Sequence, residues 1–395
     1  MASNISIICK RMGMVICLFG IRGTKKRKLR KTMTTKSLFK DILMAPLSWI
    51  YGLVVVIRNF MFDVGLLKST KFDIPVIVVG NITAGGTGKT PVTEYLVKLL
   101  SEKFRTAVVS RGYKRKTKGF ILSDEKSTPD QIGDEPYQIK RKFPEVVLAV
   151  DEKRVRAIEK LSNEGSYRPE VFVLDDAYQH RYVTPDISIL LVDYNNLIYN
   201  DRLLPLGRLR EPLKAKDKAS IVIVTKCPKD ITPMELRVIT MNLKLYPYQT
   251  LFFSYMEYGD LQPVFPCAKE IDADQLKAST ALSLTGIASS ATFEEYVRSL
   301  TNGIKTINFA DHHKLTLKDY NKVTEMFAEI DNNRKIILTT EKDAVKMMND
   351  ETFPSALKKY IYYIPMNIKL LKDEESFNNL IINYVTKNRS YMRLS

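Results

Sequence analysis

The sequence predicts an α/β protein, a large domain built on a parallel sheet followed by a smaller α/β domain, and three observations carry that prediction. Short apolar runs rich in β-branched residues alternate with segments of helical spacing from residue 74 to residue 339. A glycine-rich turn lies where the first run hands over to the first helix. The 395 residues are 45% hydrophobic and 27% charged with 17 Gly and 17 Pro, an ordinary globular composition that excludes collagen-like, disulfide-scaffold and wholly disordered chains.

Residues 1–40 hold eleven of the 61 Lys and Arg and no acid, so the formal charge of +17 falls to +6 over the remainder. A binder of nucleic acid would spread its excess more widely, and no nucleic-acid partner is expected. The cluster KKRK at 25–28 follows the apolar pieces of this stretch and no small-residue cleavage site is clear, which argues against a secretory signal. A poorly ordered extension is expected, with Met33 as a second candidate start. Cysteines at 9, 17, 227 and 267 lie far apart, suggesting a reduced, cytosolic compartment and no zinc site. Residues 42–57 run 16 positions without a charge, short of the roughly 20 a spanning helix needs, and contain Pro46 and Gly52. With Lys36, Lys40 and Arg58 flanking it and Trp49 and Tyr51 inside, the segment is predicted to lie in a membrane interface. Cations ahead of it would each gain about 1 kcal/mol near an anionic leaflet. A buried first helix is the alternative.

A strand follows over 74–79, β-branched and apolar on both faces as in a doubly covered parallel sheet. Helical spacing occupies 91–100, and the pattern repeats as strand 106–110, a helix around 135–142, strand 146–150, helix 151–163, and strands 171–175, 187–193 and 220–226. Such a sheet places its binding site at the carboxyl ends of the strands. Residues 246–274 are less regular, with 251–255 and 261–265 as the two strands of a linker. The smaller set runs strand 281–285, helix 292–300, strand 305–309, helix 316–330 and strand 335–339. The domains then divide as an extension over 1–40, a membrane-associating segment and large domain over 41–245, a linker over 246–274, and a smaller domain over 275–395 whose last helix packs back.

The sharpest motif is GNITAGGTGKTP at 80–91, between strand and helix. Gly85, Gly86 and Gly88, with Thr87 among them, let backbone N–H groups turn inward around a phosphate. The helix amino end adds partial positive charge, Lys89 reaches the β/γ-phosphates, and the Thr90 hydroxyl is placed to ligate Mg²⁺. The usual pattern has Gly where this chain has Thr83; the flanking strand and helix carry the reading. Phosphoryl transfer also needs a carboxylate for the metal, and VFVLDDAYQH at 171–180 ends a strand in Asp175 and Asp176. Adjacent strand residues face opposite ways, so one of the pair is expected to face the metal and the other to hold the loop.

These motifs, with SRGY at 110–113, GDEP at 133–136, LPLGRLREP at 204–212, DHH at 311–313 and TEKDAVK at 340–346, occur in register with those of the tetraacyldisaccharide 4'-kinase (lipid A 4'-kinase) family, which the chain resembles from about residue 46 to about residue 346. The resemblance implies a P-loop NTPase-like domain, a second α/β domain across a two-stranded linker, and an N-terminal helix meeting the bilayer at the cytoplasmic face of a Gram-negative inner membrane. It implies transfer of the γ-phosphate of ATP, with Mg²⁺, to the 4'-hydroxyl of a tetraacylated glucosamine disaccharide 1-phosphate. Carried onto this chain, the proton-handling pair is Asp134 with His312, with His313 as the alternative to His312, and Lys89 is the third catalytic residue through its reach to the phosphates. Asp134 alone also suits a helix N-cap. Arg111 and Tyr113 are directed at the glycolipid, Arg154 at its 1-phosphate, Gln179 and His180 at the substrate side, Arg210 at the reacting phosphates and Glu211 at Mg²⁺. Ala177 stands where the family has Gly, which puts the loop after Asp176 in question. Thr340 and Asp343 have the spacing of a helix capping pair.

A membrane-recruited switch ATPase is the other functional class. That type carries Lys directly before two glycines, and this chain has Ala84. A GTPase needs an Asp to read guanine, and Thr225-Lys226-Cys227-Pro228 ends in Pro instead.

Overall fold

The computed structural model describes residues 35–163, 167–287, 290–310 and 313–392. In chain order the larger sheet contains β1 (Val76–Gly80), β2 (Thr106–Ser110), β3 (Ile121–Leu122), β4 (Val147–Val150), β5 (Val171–Leu174), β6 (Ile187–Asp193), β7 (Ile221–Thr225) and β8 (Thr250–Tyr258). A smaller sheet follows from β9 (Gln262–Pro263), β10 (Thr280–Thr285), β11 (Gly303–Asn308), β12 (Lys335–Thr340) and β13 (Ile361–Ile364), after which β14 (Met366–Leu370) returns to the first sheet. The larger sheet is ordered β14-β8-β7-β6-β1-β5-β2-β4-β3, parallel except at its outermost strands β14 and β3; the smaller is β11-β10-β12-β13-β9 with only β9 antiparallel.

Every residue of β1 is buried, as its VIVVG sequence requires of a strand covered on both faces. Ile77 and Val79 pack with Leu96, Val97 and Leu100 of the Lys89–Ser101 helix; Val76 and Val78 turn to the other face, against Ala157, Ile158 and Leu161 of the Arg154–Asn163 helix. The C-terminal helix, Glu374–Met392, adds Phe377, Ile381 and Val385 to the first of these cores. Strand order reverses at β1, since the chain moves from it toward β2 and later, through β6, to its other side. That reversal opens a crevice at the carboxyl ends of β1, β5 and β6.

Two findings differ from the sequence reading. The strand expected over 261–265 does not pair with its neighbour over 251–255: β9 joins β13 of the smaller sheet, and β8 pairs with β7 on one side and with β14 on the other, Met366 opposite Tyr258. The free edge of β8 is covered by a strand more than a hundred residues later, a long-range choice that local pattern does not encode. The apolar segment extends as one helix, Thr35–Asp63, through Pro46.

From Ser48 onward that helix has two unlike faces. Inward, Ser48 Oγ donates to the Leu203 carbonyl at 3.0 Å and Tyr51 OH to the Arg210 carbonyl at 2.8 Å. A Cβ at Gly52 would lie 2.9 Å from Leu203 Cδ1, so a side chain there would require the Leu203 side chain to shift. Outward, Trp49 is 81% exposed, and Ile50, Leu53, Val54, Ile57 and Phe60 are all exposed. The stretch Met44–Asp63 is long and apolar enough to cross a membrane by length and composition, yet its inner face is bonded to the domain.

Candidate active site

The phosphate loop leaves β1 at Gly80 and enters the helix at Lys89. Gly88 caps that helix at φ 82 and Gly85 adopts φ 111, left-handed conformations that favour glycine. Side chains at the strand ends grip the loop. Asn81 Nδ2 donates to Thr87 Oγ1 at 2.8 Å, and the Gln179 amide donates to the Asn81 carbonyl. Thr87 is buried, and its side chain is part of this framework. The segment before Glu211 completes the frame, with Ala84 N–H donating to the Arg208 carbonyl and Arg210 N–H to the Ile82 carbonyl, each at 2.7 Å.

Asp175 and Asp176 follow β5 and part company through the left-handed backbone of Asp176, which lies beyond the strand and outside its alternation. Asp175 is fully buried; it accepts from Thr93 Oγ1 at 3.0 Å and Ser110 Oγ at 3.5 Å, and its pKa is raised by burial and by the nearby charges of Glu135 and Asp176. Asp176 takes φ 46 and turns its carboxylate to Lys89, Nζ to Oδ1 3.5 Å. The positive φ falls on Asp176 and not on Ala177, which packs in the core and donates its N–H to the Val79 carbonyl. Ala in place of Gly is therefore without strain. Thr93, three residues beyond Thr90 on the same helix, is a buried residue that sequence reasoning missed; a Thr on the core side of an amphipathic helix is the signal that it has a polar partner.

The donor set suits a hard cation. Asp176 Oδ1 is buried without a hydrogen bond, Asp175 is flanked by two further carboxylates, and the Thr90 hydroxyl stands at the head of the helix. Among the described residues no three His, Cys, Asp or Glu form a closed cage. Mg²⁺ does not require one, because it takes one or two carboxylates and completes its shell with phosphate oxygens and water.

Arg154, His180 and Arg111 lie beside these carboxylates. Arg154 is 3% exposed, its Nε has no partner, and burial followed by the like charge of Arg111 lowers its pKa to about 10. His180 is pushed down to about 4 by burial and then by Arg154, Arg58 and Arg111, so it is neutral at pH 7, with a buried Nε2 that has no hydrogen bond. Arg111 and Tyr113 are exposed after β2, Lys114 lying over the Tyr113 ring at 5.9 Å. Arg58 of the apolar helix donates to the Gln179 carbonyl at 2.8 Å, a link the sequence did not reveal.

Glu211, the residue expected at Mg²⁺, meets the apolar helix. It is buried under the apolar helix, 4.0 Å from Arg58, among Asn59, Lys218 and Arg181, and burial raises its pKa. The cations nearest it come from the apolar helix and its seat, and its Oε1 is buried without a hydrogen bond.

Asp134 begins the Asp134–Lys142 helix, one position inside the Gly133 cap, so it is not itself the N-cap residue. The next residue, Glu135, is felt by Asp175 and pairs with Lys342 at 3.4 Å across the contact between the two sheets' helices. His312 lies outside the described residues. His313 stacks on Phe309 with centroids 4.8 Å apart and bonds Asp319 Oδ2 through Nε2 at 3.0 Å. Thr340 and Asp343 do cap the Glu341–Met348 helix, and Asp343 also accepts from Gly286 N–H at 2.8 Å.

Residues 40–386 match the family described as tetraacyldisaccharide-1-P 4'-kinase. Over 352 residues the chain is 49% identical to the tetraacyldisaccharide 4'-kinase of Bacteroides thetaiotaomicron, covering 87% of this chain and 93% of that protein. The enzyme of the same name from Flavobacterium johnsoniae is 42% identical over 352 residues, 89% of this chain and 99% of its own length. Among solved structures the chain is similar to LpxK from Aquifex aeolicus in complex with ATP, with a TM-score of 0.66 at 29% identity over 87% of this chain and 99% of that one.

Proposed function

The chain belongs to the tetraacyldisaccharide-1-P 4'-kinase family, and from that premise we propose how its own residues carry out the reaction. It is an ATP-dependent kinase of lipid A biosynthesis that transfers the γ-phosphate to the 4'-hydroxyl of a tetraacylated glucosamine disaccharide 1-phosphate. The observation that carries the mechanism is the 3.5 Å approach of Lys89 to Asp176 across the mouth of the phosphate loop.

In this reading the N–H groups of the loop and Lys89 hold the β- and γ-phosphates, while Thr90 and Asp176 hold Mg²⁺ with Asp175 fixed behind them by Thr93 and Ser110. Bound Mg²⁺ neutralises charge developing on the transferred group. Asp134 accepts the proton of the attacking sugar hydroxyl, which is a poor nucleophile while it keeps it. Its place in a helix's first turn favours the ionised carboxylate needed for that task, and His312 is its partner. Arg154 and Arg111 take the anionic end of the glycolipid: a buried guanidinium with an unpartnered Nε is stabilised by a phosphate. Gln179 steadies the loop and His180, neutral, offers its ring nitrogen as a hydrogen-bonding group.

The exposed apolar face of the Thr35–Asp63 helix lies in the membrane interface on the cytoplasmic side, where ATP is available. Acyl chains of the substrate then stay in lipid while its sugar reaches the strand ends. Arg58 supports this placement, because the helix that meets lipid is also bonded to the loop carrying Gln179 and His180.

Incubating detergent-solubilised protein with Mg·ATP and the 1-phosphorylated disaccharide tests the reaction, with product one phosphate heavier as the expected result. Hydrolysis of ATP without that product would overturn it.

A further inference from the structure

The turn that lacks the guanine-reading Asp has another use in this fold. β7 ends at Thr225, which is wholly buried and whose hydroxyl donates to the Thr87 carbonyl at 2.8 Å. The next residue, Lys226, takes φ 59 and directs its ammonium to two acceptors, the Gly86 carbonyl and, at 2.9 Å, Asp193 Oδ2. Asp193 closes β6 and is buried, so the cation that grips the loop is itself fixed by the neighbouring strand. On the other side Asn81, from the end of β1, holds Thr87 Oγ1.

Two consecutive carbonyls of the phosphate loop are thereby drawn toward β7. A planar trans peptide sets its N–H opposite its C=O. The N–H groups of Thr87 and Gly88, which share planes with the Gly86 and Thr87 carbonyls, are therefore aimed away from β7. Without the tethers each peptide could rotate and present an oxygen to an anion. A tight loop of glycines is free to do this, because glycine restrains its own backbone least.

We infer that Thr225 and Lys226 are positioning residues for ATP, fixing the loop's peptide planes so that N–H groups and not carbonyls face the phosphates. The inference rests on the reading of 85–90 as the ATP phosphate site. It adds a requirement from β6 and β7 that acts on nucleotide affinity and leaves the glycolipid side untouched.

The test uses the full chain, with ATP binding measured at equilibrium and KM measured separately for ATP and for the disaccharide. Thr225→Val keeps the buried shape and removes the hydroxyl; ATP should bind about three- to tenfold more weakly, the range for one lost hydrogen bond. Thr225→Ser should restore binding. Lys226→Met should weaken it by about ten- to a hundredfold, as for a lost charge-assisted bond. KM for the disaccharide should stay unchanged in all three variants. Unaltered ATP affinity in Thr225→Val and Lys226→Met would overturn the inference, as would equal losses in the Val and Ser variants or a parallel rise in disaccharide KM. Lys89→Ala separates the two readings: full ATP affinity in that variant would instead remove the phosphate site itself.

Discussion

The phosphate loop and the contact between the two sheets are held by different forces. Around the loop most bonds run from a strand-end side chain to a backbone carbonyl: Thr225 to Thr87, Gln179 to Asn81, Lys226 to Gly86. Between the Asp134–Lys142 and Glu341–Met348 helices the work falls to long charged side chains, Lys142 reaching Glu341 at 3.5 Å and Lys342 reaching Glu135 at 3.4 Å. Bonds from the neutral side chains of Thr225 and Gln179 to backbone carbonyls fix geometry and ignore ionic strength. Pairs of partly exposed charges are screened more. The expected difference is a rigid nucleotide end and an adjustable end that presents Asp134.

The largest expected effect lies at the rigid end. Lys89→Ala removes the cation that meets Asp176 and should lower kcat/KM for ATP by about a thousandfold, the upper range for a lost electrostatic contact in a transition state. Asp134→Ala should lower kcat by about a hundredfold or more with little change in ATP affinity, because proton transfer is lost while the phosphate loop is intact. A normal rate would remove Asp134 as the acceptor. Added salt should leave both deficits unchanged.

A smaller, salt-dependent effect belongs to the adjustable end. Lys342→Met and Glu135→Gln should each reduce kcat several-fold at low salt, and the double variant should cost no more than the worse single one, since a shared pair is lost only once. At high salt the unmodified enzyme should fall toward the variants. Additive losses that salt does not alter would show that this contact is as rigid as the loop, and the contrast between the two regions would fail.

The two regions were also unequally legible in the sequence. The loop is local: twelve consecutive residues specify strand end, turn and helix start. What local pattern could not supply is adjacency. Nothing in residues 250–258 announces that β14 will cover their edge, and Arg58 lies 121 positions from the Gln179 carbonyl it binds. The surroundings of Glu211 were illegible for the same reason: only the fold brings Arg58 of the apolar helix to 4.0 Å from it. Lys226 was noticed only for the base-reading role its turn fails to meet.

The smallest effect separates the regions by pH. His180, on the loop side, is pushed to about 4 by burial and by Arg154, Arg58 and Arg111, against about 6.5 in an unfolded chain. Between those values the unfolded state binds the extra proton, so the folded state loses stability as pH falls from about 6.5 toward 4 and keeps it fully above that window. By pH 5 the loss is about 1–2 kcal/mol, allowing for the ring's partial exposure. Thermal unfolding at pH 7 and pH 5 should show a smaller drop in Tm for His180→Asn than for the unmodified protein. Because the ring is mostly buried, that difference should survive high salt. Equal drops in the two proteins would mean that His180 is protonated without cost, and the neutral ring placed among three arginines would have to be given up.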